Sequence, residues 1–446
     1  MMIINKTMPK DSITVRSIQT DKFKTGALAV LVRTPDKKYS SPYSLILCEL
    51  LRNATKKYPT KASIARRLDE LYAASVGIKA MREGNWRVFA FSAEILDEKY
   101  TTDQTDILGG MGEMLSQFML SPFLDEEGLF PEKTFEQEKK RVATYLRSII
   151  NNPARYASMR LSDMIYRDDS EHLDLEGLIE AVEKCDRASL VEFYKENVTS
   201  YPIEIFYMGT LSHEDIEKRM LEYFGEHRAS SEKEAEKEMI KNRPLFSFEE
   251  RESKIKEESM PVNQGRLALA YRTGICPDSD DFYAAVLMNE ILGGGASSKL
   301  FMNVREKMSL CYSCSSTYEM DMGLIRISSG IDPKNREIAE NAIKAEFENI
   351  KNGVVSEYEF VSAQKAIENS YREIYDNPFD IFAFYSARES LGVRCTIDEC
   401  RERFKKVNID DVVRVAQGSK LDSVYFLNGT SFEGAEDDDE EEECDE

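Results

Sequence analysis

Residues 135–153, FEQEKKRVATYLRSIINNP, lie over residues 360–378, FVSAQKAIENSYREIYDNP, at a constant offset of 225. Phe135, Lys140, Arg147, Ile149, Asn152 and Pro153 recur as Phe360, Lys365, Arg372, Ile374, Asn377 and Pro378. Six identities in 19 positions stand against about one expected from average composition. Both copies read as a long amphipathic helix ended by Asn-Pro, because the residue before proline is pushed out of the α region. A second agreement, at offset 241, sets Glu49 over Glu290 and Leu51 over Leu292, so the first copy carries a net insertion. The chain is an internal duplication.

Working outward, each copy opens with an apolar run that reads as a strand: GALAVLVRT (26–34) and GRLALAYRT (265–273). Partly alternating runs follow at NWRVFAFSAEI (85–95) and GLIRISSGI (323–331), and closing strands at IEIFYMGT (203–210) and SVYFLNGT (423–430). Strands in sets followed by helices imply an α+β chain of two homologous domains. Each is a mainly antiparallel sheet with helices packed on one face. The expected divisions are 1–228, a charged linker at 229–260 with Pro244 in its middle, 261–432, and an acidic tail at 433–446.

The 446 residues carry a formal charge of −22, of which eleven acids and no base lie between Glu433 and Glu446. That tail has almost nothing to bury and is expected to be disordered and solubilising, or to meet a basic partner. The overall sign and the lack of a basic patch interleaved with aromatics argue against nucleic acid. No run approaches the roughly 20 apolar residues of a membrane helix. The start, MMIINKTMPKDSITV, lacks the apolar core of a secretory signal, so the expected compartment is cytoplasmic. Eight scattered cysteines suit reduced thiols. Cys311 and Cys314 form a lone CxxC and read as strand residues rather than a metal or redox pair.

The stretch from Ser41, SPYSLILCELLRNATKKYPTKASIARRLDELYA, is an apolar helix, a basic turn at Lys56-Lys57-Tyr58-Pro59, and a second helix. It resembles the metal-binding segment of the insulinase/pitrilysin family of inverzincin zinc peptidases, written H-F-L-E-H-M-L-F-K-G-T with a K-Y-P-like turn. The bacterial members built from two paired half-size chains are most similar. Laid on that motif, Leu45 and Glu49 fall at the two histidines and Cys48 at the catalytic glutamate. Tyr145, eight residues before Pro153, falls at the third ligand. These are degenerate metal-site positions, so no metal is expected in this chain. His172, His213 and His227, the only histidines, are not at ligand spacing. Ser212 reads as an N-cap with His213 at the first helical position.

The second copy retains NEILGGGASSKLFMNVREKMSLCYSCSS (289–316), which resembles the family's C-terminal signature of a glycine-rich turn, a helix and R-E-K-x-x-L-x-Y. Arg305 and Tyr312 match its arginine and tyrosine, and the resemblance implies that they act on the peptide bond being cut. A phenol and a fixed guanidinium are good donors to the negative charge that develops on the former carbonyl oxygen. Gly293, Gly294 and Gly295 follow a helix rather than a strand. They are either helix punctuation or, as the resemblance implies, a loop touching substrate.

The resemblance therefore implies a non-catalytic subunit of a heterodimeric zinc metallopeptidase. Such a subunit closes a peptide chamber and donates Arg305 and Tyr312 to a partner's site. The partner is a homologous subunit with intact HxxEH that holds the zinc, the substrate is an unstructured peptide, and the isolated chain is not an active enzyme. The alternative is an inert peptide-binding or scaffold protein on a peptidase fold.

Overall fold

The computed structural model describes residues 4–103, 105–229 and 252–430. Most of the charged stretch around Pro244, and the acidic tail from Glu433, lie outside the described residues. Two sheets are present. The first contains β1 (Ile4–Lys10), β2 (Ile13–Gln19), β3 (Thr25–Pro35), β4 (Ser75–Glu83), β5 (Trp86–Leu96) and β6 (Ile203–Gly209), in the order β1-β2-β6-β3-β5-β4. The second contains β7 (Lys254–Met260), β8 (Gly265–Arg272), β9 (Cys311–Glu319), β10 (Leu324–Ile331) and β11 (Lys420–Gly429), in the order β7-β11-β8-β10-β9. Each has one parallel pairing at the same place, β2 with β6 and β7 with β11, and the other pairings are antiparallel. Strand β7 falls inside the stretch that composition assigns to the linker. Its sequence KIKEESM is charged because it is an edge strand, where lysine and glutamate discourage further pairing.

The duplication is visible to the residue. In the first half, α4 (Glu132–Ser148) runs through a tight turn at Ile149–Asn151 into α5 (Pro153–Ile165). In the second half, Glu357–Glu373 runs through Ile374–Asp376 into Pro378–Ser390. Every boundary recurs at offset 225. Asn152 caps α5 by accepting from the Arg155 N–H, and Asn377 accepts from the Phe379 N–H. In both, proline occupies the first turn, where its missing N–H costs nothing.

Each half lays its own helices on one face of its sheet. α1 (Ser40–Asn53), α3 (Ile107–Leu120) and α4 bury Leu47, Met111 and Phe135 against Leu28, Val30 and Phe91 of the first sheet. The opposite faces are covered by exchange. α5, from the first half, packs Ala157, Leu161, Met164 and Ile165 on Ala268, Ala270, Leu324 and Tyr425 of the second sheet. The equivalent helix Pro378–Ser390 returns the contact, packing Phe382 on Phe206 with ring centroids 4.8 Å apart and meeting Leu31, Trp86 and Val88. This accounts for the continuous apolar runs at 26–34 and 265–273: strands covered on both faces need not alternate.

An arginine ends each of those runs and clamps the exchanged helix. Arg33 donates to Ser390 Oγ (2.8 Å) and Ser386 Oγ (2.7 Å) while its other arm meets Glu204 at 2.5 Å. Arg272 donates to the Ile165 carbonyl (3.0 Å) and to Asp422 (2.6 Å). Among the described residues no helix is long and apolar enough to cross a membrane.

Candidate functional site

On α1, Leu45 packs against the first core and Cys48 is buried, which pushes its thiol up to about 12. Glu49 is taken by Arg52 one turn on and by Arg141 of α4. The same Arg141 donates to Glu138 (2.6 Å), which also accepts from the Asn53 amide (2.9 Å). Burial works to raise the Glu138 carboxyl, but the Asn53 and Arg141 hydrogen bonds outweigh it and hold it below the usual carboxylate range. Tyr145 is 42% exposed, and its hydroxyl and ring are both covered by Arg155, whose guanidinium lies 5.0 Å from the ring centroid.

The space between α1 and α4 thus holds a cation built from the chain itself. Its carboxylates are committed to that cation, and no imidazole is near. His172 meets Asp163 (2.9 Å), His213 lies between Thr7 (3.0 Å) and Ser17 (2.8 Å), and His227 meets the Tyr201 carbonyl (2.8 Å). Ser212 does cap the helix that His213 opens, accepting from the Asp215 N–H. Among the described residues no group of three or more His, Cys, Asp or Glu could hold a metal ion. A zinc ion does not fit these residues.

The second half is arranged differently. The helix α9 (Phe282–Asn289) widens through Glu290–Gly294, and Gly293 breaks it at φ −158°, ψ 18°. Gly293 is buried against β9: a Cβ there would stand 2.6 Å from the Ser316 backbone nitrogen. Gly294 is exposed and Gly295 half-buried, both beside the Glu290 carboxylate, which burial raises above its ordinary value. The first glycine is therefore a packing requirement, and only the other two reach the surface.

A helical segment, Leu300–Lys307, follows and positions Arg305. Its guanidinium lies 4.6 Å from the Phe301 ring centroid, its side chain is 39% exposed, and its carboxylate neighbour Glu306 is 3.6 Å away. Ser309, at φ +50°, turns the chain into β9. There Cys311 pairs with Ile331 and Ser313 with Gly330, so Tyr312 is the extra residue of a β-bulge. A bulge on an edge strand re-aims a side chain, and Tyr312 is 72% exposed. Hydrogen bonding with Cys314 first, then with Ser329, and last the Arg305 charge, outweigh burial and hold the Cys311 thiol below its ordinary value. Both the guanidinium and the phenol reach solvent from the second half.

The structure does not bring the two halves' candidate residues together. A cleft of about 460 Å³ between the halves is lined by Asp36, Arg82, Arg87, Tyr166, His172 and Arg326 among others, and by none of the sequence-predicted residues. Sequence reading missed this cleft. Its residues come from α1's approach, the β4–β5 turn, α5 and β10, and share no motif.

The chain is a duplicated α+β protein whose first helix holds ion pairs and core residues at the positions of the metal motif. Residues 184–367 match the family described as peptidase M16 inactive domain. Over 436 residues the chain is 30% identical to the probable inactive metalloprotease YmfF of Bacillus subtilis (strain 168), covering 98% of this chain and 100% of that protein. Over 295 residues it is 24% identical to the uncharacterized zinc protease YmxG of the same organism, covering 65% and 68%. A crystal structure of a conserved protein from Enterococcus faecalis V583 superposes with a TM-score of 0.86 at 26% identity, covering 96% and 99%. A peptidase M16 inactive domain from Pseudomonas fluorescens shares the fold at a TM-score of 0.78 and 18% identity, covering 96% and 98%. The chain belongs to the peptidase M16 family.

Proposed function

We propose that this chain is the non-catalytic subunit of a two-chain zinc peptidase. It closes a peptide chamber against a homologous subunit with intact HxxEH, and it presents Arg305 and Tyr312 to that subunit's active site. The observation that carries this reading is the bulge at Tyr312. The bulge turns Tyr312 out of the edge strand at 72% exposure, so that its hydroxyl can meet a group outside this chain. The metal positions, by contrast, have become core and ion pairs, so this chain has lost water activation without losing its fold.

In the assembled site the partner's metal would supply the activated water. This chain's part is to donate: the Tyr312 hydroxyl and Arg305 guanidinium stabilise negative charge growing on the carbonyl oxygen of the scissile bond. Gly294 and Gly295 offer backbone to the peptide from the same half. That one organism carries both a relative named as probably inactive and one named as a zinc protease fits such a pairing. The word inactive in the relative's name also favours the second reading, an inert peptide holder or scaffold.

The test is to mix the purified chain with the HxxEH-bearing homologue from the same genome. Zinc-dependent cleavage of unstructured peptides that neither chain performs alone supports the subunit reading. Peptide binding without turnover in any mixture would support the scaffold instead.

A further inference from the structure

The far face of the second sheet is only partly covered by α5. Toward β9 it is less covered, and Ser313, Ser315 and Ser328 are exposed there. One register row crosses this open part: Arg266 of β8 faces Gly330 of β10, which faces Ser313 of β9. The Arg266 side chain lies across Gly330, where a Cβ would stand 2.6 Å from its Nη1. Glycine at 330 is what lets the guanidinium reach over β10 toward β9 and the neighbour of Tyr312.

Arg266 has no ion-pair partner among the described residues, and its buried Nε makes no hydrogen bond. The other arginines of this face are engaged, Arg272 with Asp422 and Arg326 with Glu319. Glu258, in the same row on β7, is held by Arg160 and Lys256. Burial draws the Arg266 guanidinium below its ordinary value, with no opposing charge to restore it. A half-buried cation without a counter-charge is costly, and a planar fork of donors matches a carboxylate.

We propose that Arg266 is a binding residue for a carboxylate of an extended peptide, an acidic side chain or the C-terminus, and anchors that peptide alongside β9 next to Tyr312. This rests on the reading that peptide passes Tyr312, and it adds a preference for acidic or C-terminal segments.

Fluorescence anisotropy of labelled short, unstructured peptides on the full chain tests it. Three are needed: one with a free C-terminus and no acidic side chain, one amidated with a single glutamate, and one amidated with no acid. One or both carboxylate peptides should bind at least about tenfold more tightly than the neutral one, the scale of a charge-assisted hydrogen bond. Which of the two does so identifies the source of the carboxylate. Arg266→Gln should erase the difference and leave the neutral peptide unchanged. Arg266→Lys, which keeps a cation but not the fork, should lose most of it. Equal binding of all three peptides, or an intact preference in Arg266→Gln, would overturn the anchor and leave the peptide reading standing. Binding of none would overturn both.

Discussion

Replacing Arg33 by methionine should separate the two halves before either one melts. The guanidinium is buried, at 4% exposure, and makes bonds to Glu204 (2.5 Å), Ser390 Oγ (2.8 Å), Ser386 Oγ (2.7 Å) and the Ser386 carbonyl (3.2 Å). Three of the four reach the helix exchanged from the second half. Breaking a buried ion pair costs about 3–5 kcal/mol. Here Arg16 stays on Glu204, and the Ser390 hydroxyl still reaches the Ser386 carbonyl at 3.2 Å, so we expect the lower end of that range, about 3 kcal/mol.

The assay is built into the chain. Trp86, the single tryptophan, donates its indole N–H to the Ser390 carbonyl at 3.1 Å and reports whether that helix is docked. In a urea titration the native chain should lose tryptophan fluorescence and far-UV circular dichroism together. In Arg33→Met the fluorescence midpoint should fall by about 1 M, given a slope of roughly 2–3 kcal/mol per molar urea, ahead of the dichroism. A control at the exposed Lys57–Glu113 pair, Lys57→Met, should cost less than about 1 kcal/mol. If the two probes stay coincident and move no further than the control, the clamp does not hold the halves together.

Other expectations follow from single contacts. Gly293→Ala places a Cβ 2.6 Å from backbone in β9 and should cost about 1–3 kcal/mol by overpacking. Gly294→Ala, which meets only the movable Glu290 side chain, should stay within about 0.5 kcal/mol in a thermal melt. Restoring Leu45→His, Cys48→Glu and Glu49→His together should yield no stoichiometric zinc by elemental analysis. Tyr145 supplies no carboxylate, and Arg141 would remain as a cation in that space. Burial favours a neutral Glu258, but donation from Arg160, Lys256 and Tyr425 outweighs it and brings its carboxyl to about 2. Its contribution, which ties β7 to α5 of the other half, is complete above the unfolded value of about 4.3 and is lost as pH falls toward the folded one. Glu258→Gln should therefore flatten the acid limb of the stability curve in that window, and an unchanged limb would remove Glu258 from the interface.

The long helix ended by Asn-Pro was legible because identity, amphipathic period and proline chemistry agreed at 135–153 and 360–378. The helix and turn boundaries recur at that same offset. The exchange of helices was not legible: Ala157, Leu161 and Met164 announce an apolar face but not whose sheet it will cover. β7 escaped notice because an edge strand needs few apolar residues, and KIKEESM offers two. The absence of the motif's two histidines and its glutamate was plain at Leu45, Glu49 and Cys48, whereas the Arg141 pairing with Glu49 required α1 and α4 side by side. Spacing gave Arg305 and Tyr312 as a pair but not the bulge that exposes the tyrosine, since a bulge is a property of register between β9 and β10. Arg266 had no motif at all; it is notable only because every neighbouring carboxylate is otherwise engaged.

The role proposed for this chain is to stabilise charge formed in a reaction started elsewhere. Tyr312→Phe in this chain, mixed with the proposed HxxEH-bearing partner at saturating peptide, tests it most directly. Loss of one such donor should lower kcat by about 10²–10³-fold with KM and complex formation little changed. A kcat equal to that of the unaltered mixture would show that the exposed phenol takes no part in the chemistry.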